Sequence, residues 1–218
     1  MRPVAIFYHC VLTCHGVNPD HALALFTDQM MSLRQSGLTE AAHHVFIGCN
    51  GQNSDSMPII CYAPAVAEVE CFSGGISEIP TMNVMHDWCK ANPGEAVLYH
   101  HIKGVSHEPG GAYDAWRHCM ERVCIWGWRE CVKALEEGYD SSGAHWLSPE
   151  KFSNISIPYW GGNFFWATSD FIATLPPLPT DSWQNRYEAE AWIGRGKIRP
   201  RVRDFAPHWP MQGCVPNE

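Results

Sequence analysis

Ala96-Val97-Leu98-Tyr99-His100-His101-Ile102-Lys103-Gly104 decides the fold. A short apolar run bounded by polar and glycine signals reads as a buried strand over 96–100. The strand ends on two histidines, a lysine and a glycine. Immediately before it lies a helical stretch, about 80–91, opened by Pro80-Thr81 and closed near Asn92-Pro93-Gly94. After it comes the longest predicted helix, about 112–137, with Trp116, Met120, Val123, Cys124, Trp128, Cys131 and Leu135 on one face.

Toward the N-terminus the pattern repeats. Residues 4–9 are a β-prone strand ending at His9. Residues 20–35 carry Leu23, Phe26, Met30 and Leu33 at helical spacing, with Pro19 at the start and Gly37 at the stop. Residues 44–48 form a second strand. Ile59-Ile60-Cys61-Tyr62 and Glu68-Val69-Glu70-Cys71-Phe72 are shorter strand candidates. Toward the C-terminus, Gly161-Gly162 precedes a β-prone run, Asn163-Phe164-Phe165-Trp166-Ala167. A short helix at about 168–174, a proline loop at 176–179 and a helix over 184–194 follow. The Pro-rich end wraps the surface.

Strands alternating with helices imply an α/β fold, with a mainly parallel central sheet and helices on both faces. The 218 residues fit one domain, 1–218, with a core over 4–194 and a C-terminal wrap over 195–218. In open α/β sheets ligands sit outside the carboxyl ends of the strands. His9, Cys49, Phe72 and His100 to Gly104 occupy such ends.

Composition narrows the function. A net charge of −8 disfavours a nucleic-acid binder, which needs a dense cationic face. No apolar run approaches the length of a membrane helix. The N-terminus turns polar too early for a signal peptide, so a cytoplasmic location is expected. Ten cysteines without a secretory leader, in a chain of this size, argue for buried thiols over a disulfide framework. Cys10 and Cys14, flanked by His9 and His15, are the only metal-like cluster, and one short segment rarely closes a tetrahedral site. Ten tryptophans suit sites that stack on flat rings or sugar faces.

Lys103 is a compact cation at a strand end, and Gly104 lets a ligand approach the backbone, which suits a diphosphate. His100 and His101 have three readings: metal ligand, base, or phosphate donor. A solvated basic turn is the plainer one. Arg195, Lys197, Arg199, Arg201 and Arg203 alternate along one segment. They suit either a peripheral contact with an anionic membrane surface or a solvated edge.

Four blocks recur in order: Tyr99-His100-His101-Ile102-Lys103-Gly104-Val105-Ser106, Ala115-Trp116-Arg117-His118-Cys119-Met120, Gly162-Asn163-Phe164-Phe165-Trp166-Ala167, and Arg186-Tyr187-Glu188-Ala189-Glu190-Ala191-Trp192-Ile193-Gly194. Together with the opening Ile6-Phe7-Tyr8-His9 they resemble the small GT-A-type glycosyltransferases of bacteria and large algal viruses, including the chlorella-virus glycosyltransferase domain and bacterial polysaccharide transferases. The resemblance covers roughly residues 4–194.

It implies a GT-A-like (Rossmann-like) fold. It also implies transfer of a sugar from a UDP-, GDP- or dTDP-linked donor to a glycan or lipid-linked hydroxyl acceptor, by inversion. The donor would meet His9, Glu78, His100, His101, Lys103, Gly104 and Arg117. Gly162, Asn163 and Trp166 would recognise the sugar or acceptor. Glu190, with Glu188 as the second choice, would take the acceptor proton. Glu78 also suits a helix start through the dipole. The family's Asp-x-Asp metal motif is missing, and His100-His101-Ile102-Lys103 stands in its place. Mn²⁺ and Mg²⁺ prefer oxygen ligands. Lys103 therefore neutralises the leaving diphosphate in this reading, with a metal at His101 or His100 as the open alternative. A metal-dependent hydrolase and a non-catalytic sugar-binding module are the competing classes.

Overall fold

The computed structural model describes residues 1–12, 16–51, 56–72, 77–107, 109–150, 156–179 and 186–206. A seven-stranded sheet runs through it. Its N-terminal half is built from β1 (Val4–Val11), α1 (Pro19–Gln35), α2 (Leu38–Ala41), β2 (Ala42–Asn50), α3 (Ser56–Tyr62), β3 (Ala67–Phe72), α4 (Ile79–Ala91) and β4 (Ala96–His101). Then come α5 (Ala112–Glu121), a π-helical turn (Arg122–Trp126), α6 (Trp128–Glu136), β5 (Ser141–Gly143) and the small pair β6 (Trp146–Leu147) and β7 (Tyr159–Trp160). The chain continues through β8 (Phe165–Thr168), α7 (Ser169–Ala173), α8 (Arg186–Ala191) and β9 (Val202–Asp204).

The strand order is β3-β2-β1-β4-β8-β5-β9. The first four strands are parallel, and β8 runs antiparallel between β4 and β5. The fold is thus α/β with a mostly parallel sheet. Alternation along the strands builds two cores. On one face Ile6, Tyr8, Ile47, Leu98 and Trp166 pack against α1, α5 and α6. On the other, Phe7, Phe46, Val97, Tyr99 and Phe165 pack against α4 and α7. Among the described residues no helix is long and apolar enough to cross a membrane.

Three local expectations change. Ile59–Tyr62 is the end of α3, not a strand. Ile59 is buried while Ile60, Cys61 and Tyr62 are exposed, a one-sided burial that suits a helix. A four-residue apolar run cannot distinguish the two periods. The long helix over 112–137 is broken by the π turn, where Gly127 N–H bonds to Arg122 O. The buried Trp166 indole takes the Cys124 carbonyl at 2.8 Å, and an added Cβ on Gly127 would stand 2.8 Å from Val123 O. The predicted apolar face survives the break, since all seven of its residues lie in or against the first core.

The C-terminal segment is more than a wrap. β9 joins the sheet edge beside β5. The Asp204 carboxylate anchors it by accepting the N–H groups of His145, Trp146 and Ala206. The alternating arginines are spent within the chain. Arg195 pairs with Glu188 and Arg199 with Glu150, while Arg201 and Arg203 lie over Tyr139 and Phe205.

Candidate functional site

The chain runs from β1 outward to β3, then returns to lay β4 on the other side of β1. The connections diverge between β1 and β4, and that crevice is where open α/β sheets bind ligands. Register and alternation decide which side chains meet there. Gly48 pairs with His9, and His9 pairs with His101. Period two then sets Gly48, His9 and His101 in one row on the α4 face.

The first turn of α4 closes over this row. Glu78 is its N-cap residue. Asn50 Nδ2 donates to His9 Nε2 (3.2 Å) and to the Ser77 carbonyl (2.8 Å). An amide NH₂ is a donor, so His9 Nε2 is the acceptor and its Nδ1 carries the proton. That proton points at Thr81 Oγ1, 2.7 Å away. Gly48 makes this contact feasible, because a Cβ there would lie 1.9 Å from Thr81 Oγ1. Burial pushes His9 down to about 4, against a raising influence from Glu78. His9 is therefore neutral near pH 7, with both ring nitrogens occupied.

His101 is the more open residue. Its Nε2–H donates to the Gly162 carbonyl (2.9 Å), and its Nδ1 faces Glu78 Oε2 at 3.7 Å. Tyr99 donates its hydroxyl to the same Glu78 oxygen at 2.5 Å. Burial, and then the Glu78 charge, raise the Tyr99 hydroxyl far above its ordinary value. Gly162 ends a tight turn closed by Asn163 N–H to Trp160 O, at φ +85. A side chain there would also strike Met120 Sδ at 2.6 Å, so only glycine fits. Asn163 follows at φ +56, fully buried, with Nδ2 directed at Met82 Sδ and no hydrogen-bond partner for Oδ1.

Lys103 lies just past β4, its Nζ 4.2 Å from the centre of the Trp116 ring. Trp116 is the ring against which Gly162 packs. The lysine is thus one ring away from the carbonyl that holds His101. Gly104 follows at φ +91 and completes the turn.

The structure therefore brings His9, Glu78, His101, Gly162 and Asn163 together beside the first turn of α4, with Lys103 on the neighbouring Trp116 ring and Gly104 against Tyr113 and Asp114 of α5. Other expectations are corrected. His100 points to the opposite face, fully buried between Tyr8 and Phe164, with neither nitrogen hydrogen-bonded. Burial lowers it to about 3. Adjacent strand residues face opposite ways, so His100 and His101 cannot share a ligand. Arg117 also lies on that other face. Its guanidinium is held by Glu121 (2.9 Å), Asp28 (3.4 Å) and Asp114 (3.6 Å), so its charge is already matched. Glu121 in turn accepts from Gln29, which accepts from Tyr8. Trp166 is a core residue with no exposed face to offer a sugar. Glu188 closes on Arg195 at 2.6 Å. Of the sequence cluster around Cys10, the Cys10 thiol is buried on the face away from His9, and Cys14 and His15 lie outside the described residues.

Asn50, Ser77 and Thr81 were not among the expected site residues, and Tyr99 was expected only as part of the segment 99–104. Tyr99 and His101, like Phe7 and His9, are two apart, and that alternation was the available signal. Nothing local marks Thr81, whose role depends on the glycine in a different strand.

No curated protein matches the chain. Among solved structures it is similar to a protein described as a nucleotide-diphospho-sugar transferase from Desulfovibrio desulfuricans G20 (11% identity, TM-score 0.44, 94% of this chain and 80% of that one). It is also similar to HddC from Yersinia pseudotuberculosis (9%, 0.48, 94% and 90%). A third is a CMP:2-keto-3-deoxy-manno-octonic acid synthetase complexed with CTP (9%, 0.46, 94% and 90%). The family described as Domain of unknown function (DUF8361) matches residues 7–200, and the chain belongs to that family.

Proposed function

We propose that the chain is a nucleotide-sugar-dependent glycosyltransferase working at the β1/β4 crevice. The observation that carries this reading is the meeting of His9, Asn50, Glu78 and His101 at the switch point of a parallel sheet, with the Lys103 cation at its mouth. Such crevices suit nucleotides. The Lys103 ammonium rests on Trp116 through a cation–π contact worth about 0.5–1 kcal/mol at an open site. A diphosphate, with more than one negative charge, outcompetes that contact. In this reading Lys103 neutralises the leaving nucleoside diphosphate, a UDP, GDP or dTDP species.

The acceptor, a glycan or lipid-linked hydroxyl, attacks the anomeric carbon as a carboxylate takes its proton. Glu190, which stands before Trp192 where the resembling family places an acidic motif, is the carboxylate proposed for that base, and inversion is the proposed outcome.

The test is thermal unfolding with UDP, GDP and dTDP, with and without Mn²⁺. A ligand at about 100 times its Kd stabilises by roughly 2.7 kcal/mol. For a domain of this size that raises Tm by about 5–10 °C. Lys103→Ala should lose the response to diphosphates and keep that to nucleosides. Unchanged Tm with every nucleotide at millimolar concentration rejects the reading.

A further inference from the structure

We propose that Cys49 and Cys71 form a reversible disulfide when a peroxide oxidises Cys71, and that the crosslink is felt at the β1/β4 crevice. Strand pairing sets three cysteines in one row. Cys10 of β1 stands opposite Cys49 of β2, and Cys49 stands opposite Cys71 of β3. Residues opposite each other in parallel strands point to the same face. All three accordingly lie in or against the core under α1, with Cys10 and Cys49 fully buried and Cys71 half-buried.

The strand spacing is compatible with a crosslink. Neighbouring strands are about 4.8 Å apart, inside the roughly 4.4–6.8 Å between Cα atoms that a disulfide spans. The Cβ atoms must come to about 3.5–4.5 Å, so one strand has to lean toward the other by less than about 1 Å. Position in the sheet decides which pair can do this. β1 and β2 each carry a strand on both sides, whereas β3 is the edge and has a neighbour on one side only. β3 can close on β2 without breaking another ladder, so Cys49–Cys71 is the pair that joins.

Access decides which sulfur reacts first. In this row it is Cys71 that solvent reaches. Hydrogen peroxide takes its sulfur to a sulfenic acid: an S–O bond forms, the O–O bond breaks, and the thiol proton leaves in one water. The Cys49 sulfur then attacks that sulfur. The S–S bond forms, the S–O bond breaks, and the hydroxyl departs with the Cys49 proton as a second water. The two thiols give up two electrons and the peroxide takes both. Dithiothreitol reverses the crosslink by thiol–disulfide exchange. Other thiols fail one of these conditions. Cys124 and Cys131 are wholly buried, and each donates to a carbonyl, that of Phe164 and that of Val123. Cys61 is exposed on α3, outside the row.

The pair borders the crevice through its chain neighbours. Asn50, next to Cys49, donates to His9 Nε2 at 3.2 Å. Phe72, next to Cys71, lays its ring where a side chain on Gly48 would strike it. A shift of β3 toward β2 therefore reaches the His9 row from two sides.

The full chain, reduced and then treated with equimolar hydrogen peroxide, is digested after Glu and Asp residues, which puts Cys49, Cys61 and Cys71 on separate peptides. Mass spectrometry should find Cys49 joined to Cys71, and the link should vanish after dithiothreitol. Cys71→Ser should abolish it. Cys49→Ala should leave a Cys71 sulfenic acid that dimedone traps. The His9 imidazole resonances, assigned with His9→Gln, should move on oxidation and return on reduction. Far-UV circular dichroism checks that each variant is folded. Cys71 still a thiol after peroxide, a Cys10–Cys49 or intermolecular link in place of Cys49–Cys71, or no dimedone adduct in Cys49→Ala would each overturn the disulfide. Unmoved His9 resonances in the crosslinked protein would overturn its coupling to the crevice.

Discussion

Gly48→Ala tests the architecture of the crevice directly. The added Cβ would stand 1.9 Å from Thr81 Oγ1, 2.8 Å from the Phe72 ring and 3.0 Å from Thr81 Cβ. Carbon atoms settle at about 3.5–4.0 Å, so the first turn of α4 must lift by roughly 1.5–2 Å. A movement of that size breaks the 2.7 Å contact between Thr81 and His9. Overpacking typically costs about 1–3 kcal/mol, and an orphaned buried donor about 1–3 kcal/mol more. The expected loss is about 4 kcal/mol, or roughly 8–16 °C in Tm for a domain of this length. Thr81→Ala removes the nearest clashing atom, leaving the Phe72 ring at 2.8 Å and the residue-81 Cβ at 3.0 Å to be relieved by smaller shifts. Gly48→Ala/Thr81→Ala should therefore be less destabilised than the sum of its parts by about 1–3 kcal/mol, as expected of neighbours that share a space. Urea unfolding at pH 7, followed by tryptophan fluorescence, measures all three variants. A Gly48→Ala protein within about 0.5 kcal/mol of the parent, or strictly additive changes, would refute the packing described for α4 over β2.

Two further predictions concern the buried histidines and Trp166. Burial holds His9 at about 4 and His100 at about 3, below an unfolded value near 6.5. The unfolded chain thus binds protons that the folded chain refuses, and stability should fall as pH drops from about 6.5 through 4 to 3. His100→Phe should make that acid limb shallower while leaving stability at pH 7 unchanged or about 1 kcal/mol higher, since two partnerless nitrogens disappear; an unchanged acid limb in denaturant titrations would contradict the assignment. Trp166→Phe should cost about 2–3 kcal/mol through the lost bond to Cys124 O and the lost volume, with ligand binding intact; impaired binding in a protein of parental stability would return Trp166 to the site.

Much of the scaffold is legible in the chain because its signals are local. The strand at 96–101, the helix over 79–91 and the helix over 19–35 each carry their own periodicity and end signals. Pro19, Pro80 and Gly94 punctuate them where the structure does. The errors are of two kinds. Ile59–Tyr62 was too short for its period to be read. The π turn at Arg122–Trp126 depends on Trp166, some forty residues away, capturing a carbonyl. No window around the helix contains that partner.

The same division holds for the site. The residues in sequence at 99–104 determined that a strand would end in imidazole and ammonium groups beside a glycine, and the alternation of elements determined that such ends would line a ligand crevice. Tertiary structure alone decided which of these side chains work together. Strand pairing set His101 in a row with His9 and Gly48 and turned His100 into the opposite core. The packing of α4 brought Glu78 and Thr81 over that row, and the turn at Gly162 gave His101 its acceptor and placed Asn163 on the same face. A side chain's type is written in its own codon, but its partner, its protonation and its accessibility are properties of distant segments brought within a few ångströms. Composition and spacing carry no record of those distances.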